Sequence, residues 1–352
     1  YRSRINRIAY IRKHQSKKED TGNIEKSNGY FSQRNTIIKL SRKRGGRGRR
    51  KQTNRTTSIH MSYKLYNDDC VNVCRQLPDD CIDLTITSIP FANLYTYSDD
   101  ERDFSNVKDL EQFFNQMDYL IPELYRITKA GRIIALHVKQ IPTFKGRDGA
   151  MGLIDFRGMV IKAFQKHKWV YHGEITVWTD PQIEATRTKS ASILYNSYKK
   201  FAEITRTGMP DYVILMQKVE REDEWVHVLH EDNDANFKEW TRLASPCWGL
   251  HDSESNPKVA RTNVLNYKIA KEDKDEKHMT PLQLDLIEHI IKWYTNEHEI
   301  VFDPFGGIMS VPYSAIKLNR NAIGVELKES YYKTGEKYIK ELELSMNQPT
   351  LF

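Results

Sequence analysis

Short apolar segments alternate with amphipathic segments along the chain from residue 61 onward. Cys81–Thr87 and Arg132–Val138 are apolar runs of strand length. Between them, apolar residues recur at helical spacing over Val107–Thr128, and Lys129–Gly131 ends this predicted helix. The alternation predicts an α/β fold with a doubly wound, mostly parallel sheet.

The same pattern continues toward the carboxyl end, with one interruption. Residues 219–275 are polar and show little period, so they are predicted to form a loop-rich insertion. The remaining predicted elements are a helix near Phe156–His167, strands near Trp169–Trp178 and Asp211–Met216, a helix at Pro281–Tyr294, strands at Glu299–Phe302 and Ala322–Glu326, and a helix at Glu329–Leu344.

Composition excludes several classes of protein. Hydrophobic residues make up 39% of the chain and charged residues 29%, which are ordinary proportions for a globular protein. No stretch approaches the roughly 18 uncharged apolar residues that a membrane-spanning helix needs. The four cysteines match no zinc-ligand spacing, so a reduced intracellular chain without a metal is expected.

The positive charge of the chain is concentrated in its first 60 residues. The formal net charge is +7, but residues 1–60 hold 18 Lys and Arg against three acidic residues, and the rest carries a net −8. The basic run Ser41–Lys51 is typical of disordered segments that bind nucleic-acid phosphates. A transit peptide, a linker from a longer polypeptide and translated sequence upstream of a start at Met61 are alternatives. Residues 1–60 are therefore interpreted as a disordered basic arm or a non-native upstream segment, without an assigned function.

The first candidate site follows the strand at Cys81–Thr87. The segment Thr87–Phe91 (TSIPF) places a short polar side chain, backbone carbonyls and an aromatic ring at a strand's carboxyl end. The Ser88 hydroxyl and the Ile89 carbonyl can accept the two N–H bonds of an exocyclic amine, and Phe91 can stack on the ring that bears it. Such acceptors favour the tetrahedral amine that attacks an electrophile. A strand-end turn containing Pro90 is the alternative.

The second candidate site lies near the carboxyl end. The segment Val301–Ser310 (VFDPFGGIMS) forms a glycine-bearing turn between a strand and a helix, and Glu326 ends the next strand about twenty residues later. This layout is typical of nucleoside binding, with backbone close to the ligand and the acid positioned for ribose hydroxyls.

These two motifs, in this order, resemble those of the amino-group DNA methyltransferases, which methylate adenine N6 or cytosine N4. The resemblance covers residues 63–340 and fits the permuted beta arrangement, in which the catalytic motif precedes the cofactor turn. It is closest to a phage and bacterial branch, through Phe91–Ser98 (FANLYTYS), Glu184–Lys189 (EATRTK) and Lys277–Leu284 (KHMTPLQL). The resemblance implies a Rossmann-like methyltransferase fold, S-adenosylmethionine as cofactor, DNA as substrate with the target base flipped out, and a cytoplasmic location in a bacterium or a phage-infected host.

The resemblance also implies residue roles. The catalytic motif (D/N/S)-P-P-(Y/F) corresponds to the four residues Ser88, Ile89, Pro90 and Phe91. The cofactor turn D-P-F-x-G-x-G, the ribose-binding acid and the adenine-contacting acid correspond to Asp303, Pro304, Phe305, Gly307, Glu326 and Asp69.

Two departures from the family pattern leave an alternative function open, in which the chain is a catalytically weakened or inactive member of the family. Ile89 stands in place of the first Pro of the catalytic motif, so the loop loses a fixed φ. Met309 stands in place of the last Gly of the cofactor turn, where a side chain could meet the ligand or require an unfavourable φ.

The resemblance divides the body of the chain into functional parts. Residues 61–218 are expected to form the catalytic half, 219–275 an insertion or target-recognition region, and 276–352 the cofactor-binding half. Because this body is acidic, a local basic patch is expected to face DNA, with candidates Lys139, Lys145, Arg147, Arg187, Lys189, Lys199, Lys200 and Arg206. The sequence leaves open the choice of adenine or cytosine, the recognised DNA sequence, a partner nuclease and the oligomeric state.

Overall fold

A computed structural model describes ten parts of the chain: residues 63–90, 104, 109–188, 199–202, 208–219, 227–230, 237–250, 254, 256–270 and 281–346. The chain divides into two units, Tyr1–Ser58 and Ile59–Phe352. The basic arm predicted at residues 1–60 lies outside the described residues, and the fold below is that of the second unit.

The described residues form strands and helices in alternation, as the hydrophobic pattern predicts. The strands are β1 Tyr63–Tyr66, β2 Ile82–Ser88, β3 Thr128–Lys139, β4 Ile141–Thr143, β5 Gly152–Ile154, β6 Trp169–Val177, β7 Asp211–Lys218, β8 Cys247–Trp248, β9 Ile300–Asp303 and β10 Asn321–Val325. The helices are α1 Cys70–Gln76, α2 Leu110–Ile127, α3 Lys145–Asp148, α4 Phe156–Lys166, α5 Pro181–Thr188, α6 Phe237–Leu243, α7 Leu284–Tyr294, α8 Ser310–Lys317 and α9 Glu329–Met346.

Eight strands form one sheet in the order β1-β10-β9-β2-β3-β7-β6-β8. The first five strands in that order are mutually parallel, whereas β7 runs antiparallel to both β3 and β6. The carboxyl ends of the parallel strands and the amino end of β7 therefore lie at one edge of the sheet. The mostly parallel sheet predicted from the sequence is confirmed.

The sheet is buried on both faces because alternate residues of its central strands point in opposite directions. In β3, Ile133 and Ala135 join a core that contains α7, α8 and α9, whereas Ile134 and Leu136 join a core that contains α1, α2 and α4. The doubly wound arrangement is confirmed. The ends of these strands therefore lie between the two layers of helices.

The predicted insertion, residues 219–275, is described only in part. Within it, β8 pairs with β6, and Trp248 is buried in the same core as α7. The described part of this segment therefore adds an edge strand to the sheet.

The longest helices in the described part of the chain are α2 and α9, which each have 18 residues and carry several charges. Among the described residues, no helix is long and apolar enough to cross a membrane.

Candidate active site

The two motifs predicted from the sequence meet at one edge of the sheet. Ser88 ends β2 and Asp303 ends β9, and these two strands are paired and parallel. The Thr87 hydroxyl donates a hydrogen bond of 2.7 Å to Asp303 Oδ1, in a buried position. Residues 216 positions apart in the sequence are thereby joined directly.

The turn after β9 is held against the end of β10 by Glu326. One carboxylate oxygen of Glu326 accepts the Gly307 N–H at 2.8 Å, and the other accepts the Lys328 N–H at 2.8 Å. Gly306 N–H donates to the Val325 carbonyl at 2.7 Å. These bonds fix the distance between the turn and the predicted ribose-binding acid.

Gly307 gives this turn an open side. Its φ is +53°, in the left-handed region that favours glycine, and a Cβ placed there would meet no atom within 4 Å. Phe305, two residues earlier, is half-buried and packs edge-on against Phe104 with ring centroids 5.3 Å apart. Pro304 is buried beside it. The turn thus exposes its backbone toward the space above the sheet edge.

Met309 has a left-handed backbone, with φ 64° and ψ 37°, immediately before α8. Its side chain is fully buried and directed into the core, away from the open side at Gly307. A Cβ at Gly306 or at Gly324 would lie 2.7 Å from Met309 Sδ, and one at Gly335 would overlap Met309 Cγ. Three glycines therefore provide the volume that Met309 fills, and its side chain does not enter the ligand space.

Asp303 is a buried carboxyl whose described partners are hydrogen-bond donors without a formal charge. Burial raises its pKa to about 7, although hydrogen bonds from Thr87 and from the Phe305 N–H oppose the rise. The site therefore stabilises the neutral form of Asp303 at moderately acidic pH, and a cationic group nearby would favour the carboxylate.

The segment predicted to be catalytic continues the sheet by one residue beyond β2. The Ile89 N–H donates to the His137 carbonyl on β3 at 3.1 Å, and the Ile89 side chain is buried. A proline there has no N–H and could not make this bond. Ile89 thus replaces the fixed φ of proline with a sheet hydrogen bond. Pro90 follows it half-buried, and Phe91 lies outside the described residues.

Ser88 begins a chain of polar contacts that crosses three strands. Its Oγ lies 3.0 Å from Nδ1 of His137, the residue opposite it on β3. His137 Nε2 lies 3.5 Å from Asp211 Oδ2 on β7. Lys139 Nζ contacts both Asp211 Oδ1 and Glu184 Oε2 on α5, each at 2.7 Å.

Comparison with known proteins assigns the family. A family model described as a DNA methylase, for N6 and N4 methyltransferases, matches residues 82–337. The chain belongs to this DNA methylase family. The matched range contains both the segment predicted to be catalytic, at Ser88, and the turn predicted to bind the cofactor, at Asp303.

The type II methyltransferase M.BglII of Bacillus subtilis is 25% identical over 268 residues, which are 76% of this chain and 66% of that protein. The type II methyltransferase M.BamHI of Bacillus amyloliquefaciens is 26% identical over 75% of this chain and 54% of its own length. The chain therefore spans about two-thirds or less of these curated relatives.

Two solved structures share the fold. TTHA0409 of Thermus thermophilus, crystallised with S-adenosyl-L-methionine, aligns with a TM-score of 0.57 at 17% identity, over 80% of this chain and 94% of its own. The cytosine-N4-specific PvuII DNA methyltransferase aligns with a TM-score of 0.54 at 16% identity, over 81% and 92%. The Rossmann-like methyltransferase fold is confirmed.

Some predicted site residues have structural partners that the sequence did not predict. Asp69, expected near the cofactor's adenine, caps α1 by accepting the N–H groups of Val71 and Asn72 at 2.8 and 3.0 Å. Its role toward the cofactor stays a prediction, and the cap fixes its Oδ1 at the end of β1.

The expected basic patch requires a correction. Lys139 is only 5% exposed and pairs with two carboxylates, so the expectation that it faces DNA is wrong. Glu184, which begins one of the segments that carry the resemblance, is buried against Lys139. Lys145 and Arg147, on the β4–β5 connection, and Lys199 and Lys200 are exposed, whereas the side chains of Arg187, Lys189 and Arg206 lie outside the described residues.

His137 and Asp211 are site residues that the sequence analysis did not assign. A signal was present, because each directly adjoins an apolar run, Ile133–Leu136 before His137 and Tyr212–Met216 after Asp211. Their spacing of 74 positions gives no indication that they meet, since only the antiparallel pairing of β7 with β3 brings them together. Among the described residues, no three His, Cys, Asp or Glu side chains are arranged to hold a metal ion.

Replacing Ile89 with the family's residue tests the role of the sheet hydrogen bond. Ile89→Pro should lower the free energy of unfolding by about 1–3 kcal/mol, because it leaves the His137 carbonyl without this donor and removes a buried side chain. Urea unfolding measures the change. Ile89→Val keeps the N–H and should cost only about 0.5–1.5 kcal/mol. Equal stability of the two variants would contradict the role given to the bond.

The buried Asp303 carboxyl predicts a pH-dependent stability. Its folded pKa of about 7 lies above the unfolded value near 3.8, so the folded state holds an extra proton between those pH values. Relative to Asp303→Asn, the ligand-free wild type should lose up to roughly 4 kcal/mol of unfolding free energy as the pH rises from 4 to 8. Denaturant titrations at several pH values measure this difference. A difference that stays constant with pH would exclude a raised pKa at Asp303.

Proposed function

We propose that this chain transfers a methyl group from S-adenosylmethionine to the exocyclic amine of adenine N6 or cytosine N4 in DNA. The observation that carries the proposal is the 2.7 Å hydrogen bond from Thr87 to Asp303. It links the segment suited to hold an amine with the turn suited to hold a nucleoside. Methyl transfer requires those two ligands to be side by side.

The residues at the turn fit S-adenosylmethionine. Gly307 leaves open a space that a side chain would occupy, Glu326 lies beside it as an acceptor for ribose hydroxyls, and Asp69 lies at the end of the neighbouring strand β1. The buried Asp303 carboxyl suits a cationic ligand, because its described hydrogen-bond donors carry no formal charge. When bound, S-adenosylmethionine supplies an electrophilic methyl group.

The catalytic segment then holds the acceptor base. Ser88 Oγ and the Ile89 carbonyl accept the two amine hydrogens and draw them out of the ring plane, which localises the nitrogen lone pair. Phe91 stacks on the base. Ser88 is half-buried at the end of β2, and a base that stays stacked in a duplex cannot bring its amine to such a group, so we expect the target base to be flipped into the site.

The rival function is a relative that binds cofactor or DNA without catalysis, which the departures at Ile89 and Met309 suggested. The observed geometry supports the active enzyme instead. Ile89 keeps its carbonyl and adds a sheet bond, and the Met309 side chain lies in the core. Neither departure removes a group that the transfer needs.

Transfer of labelled methyl groups tests the proposal. The full chain is incubated with methyl-labelled S-adenosylmethionine and unmethylated bacterial DNA at low salt, and the label retained on DNA is counted. Cofactor binding is measured in parallel by calorimetry. Label on DNA supports the enzyme, whereas cofactor binding without label favours the inactive relative. We expect the reaction to take place in the cytoplasm, where DNA is accessible.

A further inference from the structure

The polar chain that begins at Ser88 extends beyond the groups that contact a base. It consists of Ser88, His137 and Asp211, with Lys139 and Glu184 behind Asp211, and we refer to the first three residues as the relay. Asp211 and Lys139 occupy paired positions on β7 and β3, and Ser88 and His137 occupy paired positions on β2 and β3. The sheet register therefore fixes the relay.

The two oxygens of Asp211 have different partners. Oδ1 contacts Lys139 Nζ at 2.7 Å, while Oδ2 lies 3.5 Å from His137 Nε2. Burial alone would raise the pKa of Asp211, but its interactions with His137 and with the positively charged Lys139 hold it well below its usual range. Asp211 is thus a carboxylate that can only accept.

The partner atoms determine which nitrogen of His137 carries the proton. Nε2 is buried and has no hydrogen-bond partner at normal distance among the described residues, and the atom it approaches is the carboxylate Oδ2. A proton on Nε2 faces that carboxylate favourably, whereas a bare lone pair would be repelled. Nδ1 is then the acceptor, so the Ser88 hydroxyl donates its hydrogen to Nδ1 over 3.0 Å.

We propose that His137, held by Asp211, is a positioning residue that turns the Ser88 hydroxyl into an acceptor for the target amine and takes up the proton that methylation releases. With its hydrogen directed at Nδ1, Ser88 presents only lone pairs to the amine. The inference rests on the proposed function and names a proton acceptor for that site.

The proton transfer balances within these groups. The amine nitrogen uses its lone pair to form the new N–C bond, while the donor's S–C bond breaks and leaves its electron pair on sulfur. The nitrogen then carries a positive charge and gives one N–H proton to Ser88 Oγ, as Ser88 passes its own proton to His137 Nδ1. The resulting imidazolium faces the Asp211 carboxylate and later releases its proton to water.

Lys139 and Glu184 support the relay from behind. Lys139 is shared between Asp211 and Glu184, and Glu184 is 1% exposed on α5. Lys139 Nζ contacts Glu184 Oε2 as well as Asp211 Oδ1, so Oδ2 of Asp211 stays directed at His137. The segment Glu184–Lys189, which the resemblance singled out, is thereby connected to the catalytic hydroxyl through Lys139.

A double-mutant cycle in the full chain tests the relay. His137→Phe keeps the ring shape and removes both nitrogens, and it should lower the single-turnover methylation rate by about 10–100-fold in the wild-type background. In the Ser88→Ala background, the same change should alter the rate less than about 2-fold, because His137 acts through Ser88. Equal losses in both backgrounds would overturn the proposal.

The matched control is His167→Phe. His167 lies at the end of α4, and its Nε2 is 2.7 Å from Oδ1 of Asp118 on α2. These two residues form a second histidine–carboxylate pair, outside the site. This variant should leave the methylation rate unchanged. Circular dichroism and cofactor calorimetry verify that all variants fold and bind.

Nitrogen-15 NMR of the histidine rings gives a readout that does not depend on activity. In the wild-type chain, the His137 signals should show a protonated Nε2 and an unprotonated, hydrogen-bonded Nδ1, and Ser88→Ala should shift Nδ1 alone. A proton on Nδ1 at neutral pH would overturn the relay. If the wild type transfers no methyl group, the proposed function fails, and this spectrum still decides the tautomer.

Discussion

Ser88→Ala should lower kcat for DNA methylation by about 10²–10³-fold, while the dissociation constant for S-adenosylmethionine changes less than about 2-fold. The hydroxyl accepts an amine hydrogen only as the nitrogen becomes tetrahedral, so its loss raises the barrier and leaves ground-state binding intact. Single-turnover rates with a methyl-labelled cofactor measure the effect, and calorimetry measures the cofactor affinity.

The control for this prediction is the same substitution outside the site. Ser345 lies on α9, where its hydroxyl donates to the Leu342 carbonyl one turn earlier. Ser345→Ala should leave kcat unchanged. If Ser88→Ala retained the wild-type kcat, Ser88 would have no part in holding the amine.

The buried, left-handed position of Met309 leads us to expect that its glycine variant is more stable than its alanine variant. Met309→Ala should lower the free energy of unfolding by about 2–5 kcal/mol, because it empties a pocket lined by Gly306, Gly324 and Gly335. Met309→Gly also empties the pocket but relieves the left-handed backbone, which costs a non-glycine residue about 1–2 kcal/mol. The glycine variant should therefore be the more stable of the two, and both should be less stable than the wild type. Urea unfolding gives this order.

Met117 provides the matched contrast. It is 2% exposed inside α2, where the backbone is helical and glycine is unfavourable. At this position the glycine variant should be less stable than the alanine variant by about 1 kcal/mol. A Met309→Gly protein as stable as the wild type would contradict the role of the side chain as core packing.

The fold was largely predictable because the hydrophobic pattern is strong where burial is complete. Strand β2 is buried along nearly its whole length, β9 is a short and mostly apolar run, and helices such as α2 and α7 carry their apolar residues at regular spacing. The predicted helix at Pro281–Tyr294 begins three residues later, at Leu284, with Gln283 at its cap. Element ends depend on local capping, which periodicity does not specify.

The candidate site was predictable only as far as it is local in sequence. The strand-end motifs at Ser88 and Asp303 each lie within a few residues, and the parallel sheet brings them together. His137, Lys139 and Asp211 contribute through sheet register, which no single segment reveals. Lys139 was misplaced on the surface because a lysine's burial depends on a distant carboxylate. The accommodation of Met309 likewise depends on glycines from three separate segments.

Mass spectrometry of nucleosides identifies which atom of the base receives the methyl group. Unmethylated DNA is treated with the full chain and S-adenosylmethionine carrying a deuterated methyl group, and is then digested to nucleosides. We expect deuterated methyl on adenine N6 or cytosine N4 with the wild type, and a matching loss of that product with Ser88→Ala. Label on a carbon of the base, or equal amounts of product from the two proteins, would rule out amine methylation at Ser88.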